Sequence, residues 1–288
     1  MKYLITGKNG QLAREFIHTF EEQSVDFIAP DEVHLDITAF EKVKAIVDEY
    51  RPDVIINCAA YNLVDKAEQD KTAALAVNAI GPKNLAQAAN ARKVVLVHFG
   101  SDYVFDGTKE NGLYTEEDAV NPLNEYGKSK LAGEQHVLES NNRSLVLRLS
   151  WVFGPGKQNF LFKLREWTKK SEYLRISCDE FSVPTHTLTV VGVTLKALSQ
   201  GLSGRYHLTN SGYCSRYEWA KMALGRMGIR KFIRPVSMDS FNLPAKRPKF
   251  SAMSNSRIGS ILNVPIPTWE EAVESFLGKG GLTSEEHE

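Results

Sequence analysis

Continuous apolar runs alternate with amphipathic stretches through the first 150 residues, and the alternation predicts the architecture. Residues 2–6 read as a short buried strand, and residues 11–20 repeat apolar positions at helical spacing. A second strand is expected over 25–29. Thr38, with Glu41 three positions on, predicts a capping box that opens a helix reaching Tyr50. Val54-Ile55-Ile56-Asn57 is apolar until its end and reads as a third strand. Helical patterning from Asp70 to Asn90, interrupted at Gly81-Pro82, leads into a strand over 94–98. A loop over 101–107 and a flexible surface excursion over 108–123 follow. A helix from Tyr126 to about Ser140 and a strand over 145–149 close the series. Strands that are apolar throughout are buried on both faces, so helices must cover both sides of a parallel sheet.

After Ser150 the pattern changes. Trp151-Val152-Phe153-Gly154-Pro155-Gly156 breaks the alternation, and shorter elements follow. Strands are expected near 173–176 and 205–208, and helices near 190–198 and 217–227. A last helix opens at Thr268, with Glu271 at the capping position. The expected fold is α/β: a Rossmann-type doubly wound parallel sheet over 1–150, then a smaller C-terminal α/β domain over 151–288. Some segments of the second half are expected to return to the first. Residues 284–288 read as a frayed tail.

Length and charge narrow the function. A chain of 288 residues suggests about two domains. With 35 basic and 35 acidic residues, no net field recruits nucleic acid or an anionic membrane. Cys58, Cys178 and Cys214 show no metal-ligand spacing and read as reduced thiols. The N-terminus enters a strand directly, without the charged and apolar regions of a signal peptide, and no apolar run approaches a membrane span. A soluble, cytoplasmic protein is expected.

Three groups carry the candidate chemistry. Gly7-Lys8-Asn9-Gly10-Gln11-Leu12-Ala13 lies between a strand and a helix, where glycines permit a tight turn and bring backbone amides to a pyrophosphate. Tyr126 and Lys130 are four apart, so a helix places them on one face. An ammonium there favours the phenolate, and the hydroxyl of Ser101, after an apolar run, would complete a proton-transfer site. The spacing alone is weak, because Tyr217 and Lys221 repeat it without a glycine loop or a strand-end serine. In a parallel sheet, ligands gather at the carboxyl ends of strands, which aligns Gly7, Asp36, Cys58-Ala59-Ala60-Tyr61 and Ser101.

In order along the chain, these motifs and several others resemble the extended short-chain dehydrogenases/reductases, and within them the dTDP-4-dehydrorhamnose reductase family. The matching segments are Gly7-x-x-Gly10-Gln11-Leu12, Asn57-Cys58-Ala59-Ala60-Tyr61, Val64-Asp65-Lys66-Ala67-Glu68, Asp102-Tyr103-Val104-Phe105-Asp106-Gly107, and Tyr126-x-x-x-Lys130-Leu131-Ala132-Gly133-Glu134. Ser150-Trp151-Val152, Val183-Pro184-Thr185, Tyr206-His207-Leu208, Arg247-Pro248 and Pro267-Thr268-Trp269 extend the likeness through the second half.

The resemblance implies reduction at C4 of a nucleotide-linked 4-keto sugar, with dTDP-L-rhamnose, a cell-surface polysaccharide precursor, as the product. Ser101, Tyr126 and Lys130 would be catalytic. Gly7, Asn9, Gly10, Gln11, Leu12, Asp36, Ile37, Cys58, Ala59, Ala60 and Tyr61 would hold NADP(H) or NAD(H) together with Tyr126 and Lys130. Val104, Phe105, Trp151, Asn159 and Arg247 would meet substrate. The competing reading of Asn159, and the better one, is a cap on the following helix, and that of Arg247 is a solvated basic loop. Lys8 and Arg14 suit a 2′-phosphate whereas Asp31 suits ribose hydroxyls, which leaves the cofactor open between the two. Where relatives carry two hydroxyl residues before Asp-Tyr-Val-Phe-Asp-Gly, Gly100 replaces the first. Some relatives bind Mg²⁺ through acidic residues at a dimer contact. Only Glu15 is so placed here, so no metal is assigned and a monomer or a homodimer is expected. An epimerase or dehydratase using the same dyad, or a non-catalytic regulatory subunit on the same fold, is the competing reading. Asp102 followed by Tyr103 argues against dehydration, and the intact Ser/Tyr/Lys set argues for catalysis.

Overall fold

The computed structural model describes residues 1–282, so the expected tail lies outside the described residues. Six strands form one parallel sheet: β1 (Lys2–Thr6), β2 (Asp26–Ile28), β3 (Val54–Asn57), β4 (Val95–Ser101), β5 (Leu145–Leu149) and β6 (Gly204–His207). Their spatial order is 2-1-3-4-5-6. The chain reverses direction across the sheet between β1 and β3, the position where open α/β sheets bind ligands. Every strand pairing is parallel, with Thr6 opposite Asn57 and Asn57 opposite His98. Leu4, Ile5, Ile55, Ile56, Leu96 and Leu147 have no exposure at all. Each such side chain contributes about 1.5–3 kcal/mol of burial, which explains why these strands read as uninterrupted apolar runs.

Helix α1 (Gln11–Glu22) covers one face, burying Ala13, Phe16 and Phe20. Helices α2 (Phe40–Tyr50), α3 (Gly81–Ala91) and α4 (Glu125–Ser140) belong to the other. Segments beyond residue 150 return to this unit. Besides β6, Val190, Val191, Val193 and Ala197 of the helix Thr187–Ser199, and Ile258 and Leu262 of Ser256–Leu262, join the core under α1. The remaining C-terminal residues build a second core around Trp219, Phe153 and Phe276, framed by the helices Phe160–Lys170, Arg216–Arg226 and Trp269–Gly278. The capping box at Thr268 and Glu271 is present.

Three local expectations fail. The helix after Thr38 begins at Phe40 without a side-chain cap, because Thr38 donates its hydroxyl to Asp36 at 2.7 Å instead. Gly81-Pro82 does not interrupt the helical run. A wider π-turn over Ala76–Ile80 hands directly into α3, where the missing proline amide falls in the first turn. Residues 108–123 are not a free excursion. Tyr114 is buried, stacks on Phe105 with ring centres 4.1 Å apart and exchanges backbone contacts with the 252–254 segment, while the buried Glu116 accepts the His207 amide.

Candidate active site

The glycine loop lies directly against the end of β3. Gly7 has φ +71°, and any side-chain carbon there would collide with the backbone of Cys58 and Ala59. The Gly10 amide closes the turn onto the Gly7 carbonyl at 2.9 Å. No side chain caps α1 at Gly10, which leaves the first amides of that helix to a ligand. The cleft beside them, about 300 Å³, is lined by Gly10, Gln11, Leu12, Cys58, Ala59, Ala60, Ser101, Tyr126, Lys130 and Trp151, among others. The three catalytic candidates therefore line the same cleft as Gly10, Gln11 and Leu12. A close-packed glycine turn, an uncapped helix start and the cleft beside them fit a dinucleotide.

The electrostatics differ from the expectation for the dyad. Burial pushes the Tyr126 phenol up to about 12; the Ser101 hydroxyl within hydrogen-bonding reach opposes this, and the nearby Asp102 charge adds to it. Lys130 is not among the groups that move it. Lys130 is itself buried, donates from Nζ to the Phe99 carbonyl at 2.6 Å, and is brought down to about 8 by desolvation against the pull of Glu134. Without ligands, desolvation wins over the ammonium, and Tyr126 is a protonated acid throughout the neutral range.

Several residues not singled out from the sequence fix this group. Asn78, on the π-turn, accepts the Tyr61 amide at 2.8 Å and donates to the Tyr61 carbonyl and to Ser129 Oγ, both at 3.0 Å. Asn124 caps α4 by accepting from the Gly127 amide at 2.7 Å, and Gly127 lets the helix approach the Tyr103 carbonyl. Asp102 is buried and accepts from Ser101 at 3.2 Å, Ser182 at 2.9 Å and Ser251 at 2.6 Å. Burial pushes its carboxyl up to about 6 despite these donors.

A second cleft, about 470 Å³, shares Trp151, Val152 and Gln158 with the first and is lined by Asn159, Phe160, Trp167, Glu180, Arg216, Trp219, Leu243 and Arg247, among others. Trp151, held at φ +39°, borders both clefts. The Arg216 guanidinium lies 3.6 Å from the centre of its ring and 3.5 Å from Glu180. The sequence does not single out this position, because nothing local signals a stacked arginine. Asn159 is buried as the cap of its helix, accepting from Phe162 and donating to the Gly154 and Gly156 carbonyls. Arg247 borders this cleft but is not a solvated loop residue. It forms a two-pronged pair with Asp65 at 3.0 and 2.7 Å. Val104 and Phe105 are corrected outright: both are fully buried in an apolar cluster with Tyr114 and Met253 and border neither cleft.

On the cofactor side, Asp36 is engaged by Thr38 and Ile37 is buried under Gly81, so neither lines the cleft. The Tyr61 backbone is tied to Asn78, and the adjoining wall is formed by Asn62 and Val64. Asn9, Gln11, Arg14 and Lys157 line a neighbouring cavity of about 230 Å³. Asp31 is held by the His34 ring at 2.6 Å, which lowers its carboxyl. Glu15 is buried and accepts from Thr187 at 2.6 Å, and among the described residues no cluster of three metal-ligating side chains forms. No described helix is long and apolar enough to cross a membrane.

A doubly wound parallel sheet with a glycine turn at its switch point and Ser, Tyr and Lys beside it defines the short-chain dehydrogenase/reductase class. More narrowly, residues 1–281 match the model of the RmlD substrate binding domain family, and the chain belongs to that family. It is 34% identical over 292 residues to the dTDP-4-dehydrorhamnose reductase of Burkholderia thailandensis, covering 95% of this chain and 97% of that one. The crystal structure of a dTDP-4-dehydrorhamnose reductase from Clostridium acetobutylicum superposes with TM-score 0.93 at 37% identity, over 97% of this chain and 99% of that one. A Bacillus anthracis dTDP-4-dehydrorhamnose reductase solved in complex with NADP gives 0.92 at 35% identity, over 96% and 99%.

Proposed function

We propose that the protein is a cytoplasmic, NADP(H)-dependent reductase that converts dTDP-4-dehydro-L-rhamnose to dTDP-L-rhamnose. The carrying observation is that Ser101, Tyr126 and Lys130 meet on the wall of the cleft that holds the glycine turn. The relatives named dTDP-4-dehydrorhamnose reductase, one of them bound to NADP, support the substrate and the cofactor. In this reading residues 1–150 with β6 form the dinucleotide-binding domain, and the second core with the larger cleft takes the nucleotide sugar.

When bound, the reduced nicotinamide supplies the hydride to C4. Ser101 turns its hydroxyl from Asp102 to donate a hydrogen bond to the carbonyl oxygen and holds it beside the phenol. Tyr126, kept protonated by its enclosure, gives its proton to that oxygen as negative charge develops. Lys130, one turn further along the helix, holds the cofactor ribose. Trp151 separates the cofactor cleft from the nucleotide cleft, and Arg216 offers the second cleft a planar, permanent cation.

The test is NADPH and NADH oxidation at 340 nm with dTDP-4-dehydro-L-rhamnose generated in situ. A decay that requires the sugar and falls by roughly 10²–10⁴ in Tyr126→Phe is expected, with cofactor binding retained. Turnover at the wild-type rate in that variant would remove the assignment.

A further inference from the structure

Helix α4 presents three charged or acidic groups at four-residue intervals on one face: Tyr126, Lys130 and Glu134. The mechanism uses the first two. Glu134 is 1% exposed and pairs with Arg148 of β5, its oxygens 3.0 and 3.2 Å from Nε and 2.9 Å from a terminal nitrogen. Arg148 is completely enclosed, with its guanidinium 5.2 Å from the Phe105 ring.

The carboxylate and the Lys130 ammonium meet neighbouring residues of β4. Lys130 Nζ is bound to the Phe99 carbonyl, while Glu134 presses on Gly100, where any side-chain carbon would run into Oε1. Glycine in place of a hydroxyl residue is thus what makes room for the carboxylate. The other titratable groups around Lys130 supply no negative charge at neutral pH. Burial holds the Cys58 thiol well above its usual range, His98 is kept neutral by burial and by Lys130 itself, and Tyr126 is a protonated phenol. An ammonium cut off from water this completely needs a compensating charge to persist.

We propose that Glu134 is the positioning residue of the active site: clamped by Arg148 and admitted by Gly100, it is the counter-charge that keeps the buried Lys130 ammonium protonated. The carboxylate is paired with Arg148, which fixes its place, and acts on Lys130, one turn earlier on the same helix face, through its field. Its consequence for turnover rests on the reductase reading; its consequence for the folded chain does not.

The experiment compares wild type with Glu134→Gln/Arg148→Gln by thermal melting of the ligand-free protein from pH 6.5 to 9.5. The double variant removes both buried charges, since Glu134→Gln alone strands Arg148. A lysine whose folded pKa lies below its unfolded value of about 10.4 costs stability while it is charged in the fold, and the cost disappears as pH rises. Losing Glu134 lowers the folded value further. The melting deficit of the double variant is therefore expected at pH 6.5 and largely gone by pH 9, where Lys130 is neutral in both proteins. If the variant is unfolded at pH 7, the proposal requires that it fold at pH 9. A deficit of the same size at every pH, or failure to fold at both, overturns it and leaves a purely structural pair. In turnover, the alkaline limb of the pH profile is expected to move down by about one unit. If wild type reduces no keto sugar, the reductase reading falls while the melting result still decides the role of Glu134.

Discussion

Asp65 and Arg247, 182 residues apart, form a two-pronged ion pair that joins the segment after β3 to the loop bordering the larger cleft. Asp65 also accepts the Ala245 amide at 3.1 Å, so one carboxylate pins both the arginine and the loop that carries it. The arginine is 14% exposed and the aspartate 37%, which limits the contribution to about 1 kcal/mol. Arg247→Lys loses the planar fork and is expected to lower the melting temperature by about 2–4 °C at pH 7. The Asp65 carboxyl is held below its usual value, chiefly by the arginine. Its contribution is present above the unfolded value near 3.9 and lost as pH falls through the lower folded value. The melting deficit should therefore close at strongly acid pH. A large rise in substrate KM with no change in melting would instead make Arg247 a ligand contact.

Asp102 gives a second pH-dependent signature, of opposite sign. Its carboxyl is raised to about 6, so it binds a proton more tightly folded than unfolded, and its ionisation costs stability as pH rises from about 4 through 6. The three serine hydroxyls offset that cost only when the group is charged. Ser251→Ala removes the shortest of them, at 2.6 Å, and a hydrogen bond to a buried charge contributes about 1.5–3 kcal/mol. Thermal melts should show a larger loss at pH 8, where Asp102 is ionised, than at pH 5, where it is mostly protonated. Equal losses at both values would mean the carboxyl does not titrate in this range.

The parallel sheet was legible because burial on both faces leaves one pattern, and 54–57 shows it without a polar interruption until Asn57. The glycine turn and the Tyr126/Lys130 spacing were legible because each acts through neighbours a few residues away. Thr38 misled because Asp36, two residues before it, competes for the hydroxyl that a cap would use. Arg216 was not singled out and Arg247 was misread for a different reason. Their partners lie 65 residues away at Trp151 and 182 away at Asp65, and no local pattern distinguishes a stacked or pinned arginine from a solvated one. Phe105 stands beside the site in sequence but turns into the Tyr114 cluster, so a role carried over from the family resemblance overstated its access.

With Arg247 paired to Asp65, Arg216 is the stacked cation of the larger cleft, which Lys163 and Arg175 also line. Its guanidinium is spread over Trp151 at 3.6 Å, and Trp151 in turn lies parallel to Trp219 with ring centres 5.7 Å apart. Stacking fixes the plane of the group while its edge keeps hydrogen-bond donors for an anionic ligand, and the contact with Glu180 at 3.5 Å is long for an ion pair. Arg216→Gln is expected to raise the KM for the nucleotide sugar about tenfold or more, the equivalent of one charge-assisted hydrogen bond, with NADPH affinity unchanged. Arg216→Lys keeps the charge but not the plane and should fall between the two. Product inhibition separates this from a general loss of shape: inhibition by dTDP should weaken more than inhibition by thymidine. Unchanged KM in both variants, with the melting temperature intact, would leave Arg216 as packing for Trp151 and place recognition of the substrate's phosphates elsewhere in the cleft.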